Sequence, residues 1–196
     1  MTLRVKNKLV MGLTGGIASG KSTALAYFAK NGADTLSADE LVRELYGTPT
    51  VQKQLTEWFG TYDAAEVAGR VFTDESARKK LEDFLHPLVY DMAVKRIHAS
   101  QKPFVVFEVP LLFEAGWDKL TDMNVLVVGD PETLDARLAS RGISREEYER
   151  RLAAQMPDSE KALRANVLFF NGGPKEDLAL KVQRLCQALG YIYGFK

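Results

Sequence analysis

Residues 8–23 read KLVMGLTGGIASGKST, and this stretch decides the fold. A compact apolar run ends in a glycine-rich turn, which opens onto a segment with helical apolar spacing. Gly15-x-x-x-x-Gly20-Lys21-Ser22 has the composition and spacing of a phosphate-binding P-loop. Glycines let the backbone curl so that its N–H groups converge on phosphate oxygens, and the following helix adds the positive end of its dipole. The expected nucleotide-binding set is Gly15, Gly16, Ala18, Ser19 and Gly20, with Lys21, Ser22 and Thr23 at the helix start. Lys21 reaches the terminal phosphates in such a loop, and the Ser22 hydroxyl takes a place on Mg²⁺.

Outward from the loop, the pattern predicts a strand at about 8–13 and a helix running to about Lys30. Asn31-Gly32 closes that helix with residues suited to a left-handed turn. A short strand at ADTL follows, then a helix from about Ala38. From Pro49 to Gln101 the text is almost wholly helical, with starts predicted at Pro49, near Asp74 and at Pro87. That is too long for a simple crossover, so 49–101 is expected to be a helical insertion. FVVFE (104–108) and NVLVV (124–128) read as strands buried on both faces. Helices are expected at about 131–140, 144–155 and 158–165, then a strand at VLFF (167–170) and a last helix after Pro174. The expected fold class is α/β, a three-layer P-loop NTPase-type fold with about five parallel strands. Its core is 1–48 with 102–196, and a lid is expected at about 137–160.

Composition excludes several classes. The 196 residues carry 26 basic and 26 acidic side chains, which cancel, so the bulk footprint of a nucleic-acid binder is missing. No run approaches the ~20 apolar residues of a membrane span, and the basic start lacks the pattern of a secretory signal. The lone cysteine, Cys186, follows the helical spacing of VQRLCQALG, which predicts packing. The chain reads as cytoplasmic, with no obligate protein partner evident.

Carboxylates and arginines around the loop supply candidate chemistry. In SADELVREL, Ser37 and Glu40 fit a capping box, Asp39 sits in the first helical turn, and Arg43 lies one turn on. First-turn acids stabilise helices through the dipole, so a structural role for Asp39 competes with a catalytic one. A kinase needs a carboxylate there to orient and deprotonate the attacking hydroxyl. Glu108 ends FVVFE and is the expected acid beside the metal. Its rival, Asp130, precedes Pro131 and better suits a helix start. Arg137, Arg141, Arg145, Arg150, Arg151, Lys161 and Arg164 are interleaved with glutamates and read mostly as solvated faces. Arg137 and Arg141 share a face that Gly142 ends, a hinge from which arginines can fold over phosphates and neutralise transition-state charge.

With these residues in place, the chain resembles the dephospho-CoA kinase family. The resemblance rests on GLTGGIASGKST, ADELVRE, FLHPLV, EVPLLFEAGW and the run from RLASRG to FFNGG, in order from about residue 10 to 175. It implies transfer of the ATP γ-phosphoryl to the ribose 3′-hydroxyl of dephospho-CoA, with Mg²⁺ held by Ser22 and Glu108. It makes Asp39 the base, Lys21 the phosphate anchor, and Arg137 and Arg141 lid residues, with Arg141 counted among the catalytic groups. Asn171 and Gly172 are placed near adenine. Arg43, His86 and Leu111, Leu112, Phe113 and Glu114 are placed toward dephospho-CoA, and the insertion becomes the CoA-facing domain. Core packing competes with that role for the apolar Leu111–Phe113 stretch, as does a capping role for His86. The chain departs from the family pattern at Ser37, at Glu108 and in the shorter 59–72 stretch with Ala64, where aspartate, aspartate and arginine are usual. The alternatives are a kinase for another small alcohol and a nucleotide-binding module without transfer.

Overall fold

The computed structural model describes residues 3–153 and 155–194. Five strands form one parallel sheet: β1 (Leu9–Gly15), β2 (Asp34–Ser37), β3 (Phe104–Glu108), β4 (Met123–Gly129) and β5 (Val167–Asn171), in the order β2-β3-β1-β4-β5. All seven residues of β1 are buried. A strand apolar on both faces belongs in the middle of a covered sheet, and β1 lies between β3 and β4, with Leu13 level with both Glu108 and Val125. This order puts the glycine loop, which follows β1, at the carboxyl edge of the central strand, where ligands of such sheets bind.

The chain divides into two compact units, one made of the chain up to Leu36 with Ser100 onward, the other of Ser37–Ala99. In the first, α1 (Lys21–Lys30) packs against the sheet through Ala24 and Phe28. Phe28 meets the Phe104 ring edge-on at 5.9 Å and stacks on Phe169 at 6.4 Å. Asn31 and Gly32 (φ 92°) end α1 as its sequence predicts.

The second unit holds α2 (Ala38–Tyr46), α3 (Pro49–Phe59), α4 (Ala64–Thr73) and α5 (Glu75–Ala99). The division falls ahead of α2, because α2 buries Leu41 and Leu45 and packs on α5. Three expectations are corrected here. No helix starts at Pro87, which lies inside α5. Its exposed ring sits opposite the buried stripe Leu81, Leu85, Val89, Ala93 and Ile97, and that four-residue packing carries the helix through the proline. The capping box is not formed, since Ser37 precedes α2 without a side-chain bond to its amides. A separate helix, α4, starts where Asp63 accepts from Ala65 N and Glu66 N, both at 3.0 Å.

Returning to the first unit, α6 (Pro131–Ala139), α7 (Arg145–Ala153), α8 (Asp158–Arg164) and α9 (Lys175–Tyr193) complete the chain. Residue 154, within the helix predicted over 144–155, lies outside the described residues. Asp130 caps α6 through Glu132 N at 3.0 Å with Pro131 in its first turn, and Gly142 (φ 66°) follows it. On α9, Leu178, Val182 and Leu189 complete the core beside α1. Cys186 packs beside them, and burial pushes its thiol up to about 11. β5 is an edge strand with Leu168 and Phe170 half exposed, and Lys181 Nζ of α9 donates to Phe170 O at 2.5 Å.

Candidate active site

The loop after β1 is built by positions only certain residues tolerate. A Cβ at Gly15 (φ 154°) would stand 2.2 Å from Val127 O, so glycine is required for β4 to approach. Ala18 takes a left-handed conformation at φ 59°. Gly20, also left-handed at φ 106°, is the residue before α1, and a Cβ there would meet Asn171 Nδ2 at 2.2 Å. Lys21 folds over the loop and donates to Gly15 O and Gly16 O, both at 2.8 Å. The loop therefore has its curved backbone, helix N-terminus and ammonium in one place.

Two further elements clamp this loop. Arg137 of α6 donates to Ala18 O at 3.3 Å, Ser19 O at 3.4 Å and Asn171 O at 2.8 Å. Asn171, at the end of β5, donates its side-chain amide to Ser19 O at 2.8 Å. Beside them opens a cavity of about 230 Å³ lined by Ala18, Gly20, Thr23, Arg137, Arg141 and Asn171 among others. Its lining includes Lys175 and Leu178 of α9, which sequence reasoning missed. The Asn171-Gly172-Gly173-Pro174 turn ahead of them was the available signal. Gly172 lies against Phe170, whose ring a Cβ would reach at 2.5 Å. The Arg141 guanidinium, exposed at the cavity wall, makes no hydrogen bond or ion pair among the described residues.

Ser22 is exposed in the first turn of α1, and Glu108 is buried at the carboxyl end of β3, one strand away from the loop's own strand. Among the described residues no group of three or more His, Cys, Asp or Glu side chains is arranged to hold a metal ion. One hydroxyl and one carboxylate still suit Mg²⁺, which keeps several waters and takes the rest of its shell from phosphates.

In the segment after β3, core packing, the competing role, is visible at two residues. Leu112 and Phe113 are buried, Leu112 against Gly12, so packing accounts for these two side chains. Glu114 turns inward. Its Oε1 accepts from Met156 N at 2.9 Å and lies 3.1 Å from Lys161 Nζ. Lys161 is wholly buried, and its ammonium is within ion-pair distance but makes no well-angled hydrogen bond. Glu114 Oε2, Gln155 Oε1 and Ser19 Oγ are likewise buried without a hydrogen bond inside the protein. Next to this pair, Asp158 opens α8 with its Oδ2 3.7 Å from where a Gly16 Cβ would stand. Burial pushes the Asp158 carboxyl up, while Lys161 and Lys21 draw it back and Glu114 pushes it further.

In the second unit, Asp39 and Arg43 are exposed on the first and second turns of α2. They form no ion pair with each other, and neither side chain has a partner among the described residues. The commonplace i,i+4 surface pair therefore does not account for Asp39. Asp39 follows the last residue of β2 by two positions. His86 is exposed in the middle of α5, so it caps no helix. Arg96 of α5 pairs with Glu44 of α2, and His86 lies ten residues back along α5, roughly 15 Å from Arg96.

Comparison with known proteins agrees with this geometry. The family model for dephospho-CoA kinase (CoaE) matches residues 9–177. The dephospho-CoA kinase of Geobacter sulfurreducens is 38% identical over 190 residues, covering 90% of this chain and 96% of that protein. That of Geobacter metallireducens is 40% identical over 191 residues, covering 90% and 94%. Among solved structures, TT1252 from Thermus thermophilus superposes with a TM-score of 0.84 at 34% identity, covering 94% of this chain and 99% of the other. A shikimate kinase from Acinetobacter baumannii shares the fold at a TM-score of 0.53 and 16% identity, with coverage of 92% and 94%. With a parallel sheet ordered β2-β3-β1-β4-β5, a clamped phosphate loop and these relatives, the chain belongs to the dephospho-CoA kinase family.

Proposed function

We propose that this chain transfers the γ-phosphoryl group of ATP to the ribose 3′-hydroxyl of dephospho-CoA, giving CoA and ADP. The observation that carries this reading is the family match over residues 9–177, which spans both the phosphate loop and the strand-to-helix junction bearing Asp39. In the step itself the 3′-oxygen bonds to the γ-phosphorus, the bond from that phosphorus to the bridging oxygen of ADP breaks, and Asp39 takes the hydroxyl proton. The exposed, unpaired Asp39 carboxylate supports that assignment. Loop amides and Lys21 hold the β- and γ-phosphates. Arg137 and Asn171 keep the loop in shape, Gly172 borders the nucleotide, and Arg141 supplies positive charge from the cavity wall.

Ser22 and Glu108 are the residues that would hold Mg²⁺. When bound, the ion screens the phosphate charge against the incoming oxygen. Arg43, His86 and Leu111 are assigned to dephospho-CoA. The helical insertion, 49–101, is assigned the role of CoA-facing domain, and 137–160 that of a lid. No helix among the described residues is long and apolar enough to cross a membrane. That, with the even charge balance, supports action in the cytoplasm on a small molecule.

The test is ADP release by the purified protein with Mg²⁺ and ATP, with and without dephospho-CoA, and mass identification of the product. Acceptor-dependent ADP release with a product one phosphoryl group heavier, carried on the 3′ position, is expected. ATP turnover without that product refutes the reading.

A further inference from the structure

We propose that Asp158 sets the nucleotide affinity of the phosphate loop: its carboxylate stands beside Gly16 and repels the nucleotide phosphates that the loop backbone holds. The inference rests on the assignment of the loop to ATP made above, but not on the identity of the acceptor.

A Cβ on Gly16 would lie 3.7 and 3.9 Å from the two Asp158 carboxylate oxygens, so the acid lies against the loop backbone itself. Few places are less neutral to a polyphosphate, because the amides of that backbone are its binding groups.

The surroundings decide the sign. Four charged or titratable groups on the surrounding elements lie near enough to act electrostatically with Asp158: Lys21 from α1, Lys161 from its own helix, Glu114 from the segment after β3, and Tyr148 from α7. Lys161 is already committed to Glu114 at 3.1 Å. Lys21 donates to Gly15 O and Gly16 O. The cluster thus holds two ammonium groups and two carboxylates, and is balanced before any phosphate charge enters it. Phosphates add negative charge beside a half-buried carboxylate, where like charges repel with less screening than at an open surface.

A proton linkage follows. Burial already raises the Asp158 carboxyl, and a neighbouring phosphate raises it further. Protonation removes the repulsion, so the handicap that Asp158 imposes is full at high pH and fades as pH falls. A role confined to holding α8 in place has no such dependence.

The experiment measures Mg²⁺–ATP affinity by titration calorimetry from pH 8 to pH 5.5 in wild type, Asp158→Asn, Asp158→Ser and Glu160→Gln. Glu160 is exposed on the same helix and controls for net charge. Thermal melting of each variant reports that it is folded. Both Asp158 variants are expected to bind about three- to tenfold tighter than wild type at pH 8. Their advantage shrinks toward unity at pH 5.5, while Glu160→Gln follows wild type throughout. Unchanged or weaker binding at pH 8, or an advantage that does not vary with pH, overturns the inference. No measurable ATP binding by wild type overturns it as well. Normal binding behaviour without phosphorylation of dephospho-CoA removes the acceptor assignment and leaves this inference standing.

Discussion

Replacing Lys161 by methionine tests the buried pair most directly. The side chain is wholly buried and 3.1 Å from Glu114, whose own side chain is 17% exposed. Removing one partner of a buried ion pair costs about 3–5 kcal/mol, chiefly because the remaining charge is left without compensation. Glu114 keeps the Met156 amide at 2.9 Å and some contact with solvent, which argues for the lower end, about 3 kcal/mol. In a chain of this size that corresponds to a melting shift of roughly 6–12 °C. The double variant Glu114→Gln/Lys161→Met removes both charges and retains an acceptor for Met156. Because the ammonium makes no well-angled hydrogen bond, the pair contributes less than its disruption costs, and the double variant is expected within about 1 kcal/mol of wild type. Urea denaturation followed by tryptophan fluorescence gives these values. In a Trp58→Phe background, the buried Trp117, in the unit that contains the pair, is the remaining reporter. A loss below about 1 kcal/mol in Lys161→Met, or a double variant no better than the single one, refutes the reasoning.

Three other outcomes are expected. Asp39→Asn lowers turnover by about 10²- to 10⁴-fold and leaves ATP affinity within about twofold, since the general base goes and the phosphate loop stays; steady-state kinetics with direct ATP titration checks it, and near-normal turnover returns Asp39 to a helix-dipole role. Arg137→Ala removes three bonds to loop and strand carbonyls and raises the KM for ATP by about tenfold or more; an unchanged KM shows that the loop holds its shape without the clamp. The Cys186 thiol, raised from 9.0 to about 11, reacts with an aromatic disulfide reagent at pH 8 roughly tenfold or more slowly than an unperturbed thiol, because the attacking thiolate is scarcer and its greater nucleophilicity offsets only part of that; denaturant restores the ordinary rate, and fast reaction of the folded protein contradicts the burial.

The sheet and the loop were legible because they are local. β1, the glycines and Lys21 are adjacent in sequence, and their spacing carries both the turn and the phosphate chemistry. FVVFE is read as 104–108 and forms β3 over the same residues. What escaped depends on neighbours distant in sequence. Proline at 87 is a stop signal locally, yet the stripe from Leu81 to Ile97 holds α5 continuous through it. Ser37 has the right spacing for a cap but leads out of a strand and is buried. The basic residues from 137 to 164 look alike along the chain. Arg145 with Asp135 and Glu149, and Arg151 with Glu147, are indeed surface pairs. Arg137 instead grips the loop, and Lys161 is interior. Charge pattern reports composition along a helix, while burial depends on which face meets β4, and α8 packs there. Asp158 was passed over for the same reason: nothing near it in sequence announces Gly16.

The edge strand has a consequence for how copies of this chain meet in concentrated solution. β5 ends the sheet with half-exposed Leu168 and Phe170 on its surface, and an unguarded strand of that kind is a template for another chain's backbone. The Lys181 ammonium takes up the Phe170 carbonyl, so an approaching strand meets a hydrated charge where it needs a hydrogen-bond acceptor. Acetylation of that lysine, or its loss, would turn a guarded border into an adhesive one, with clumping during storage or expression as the visible result.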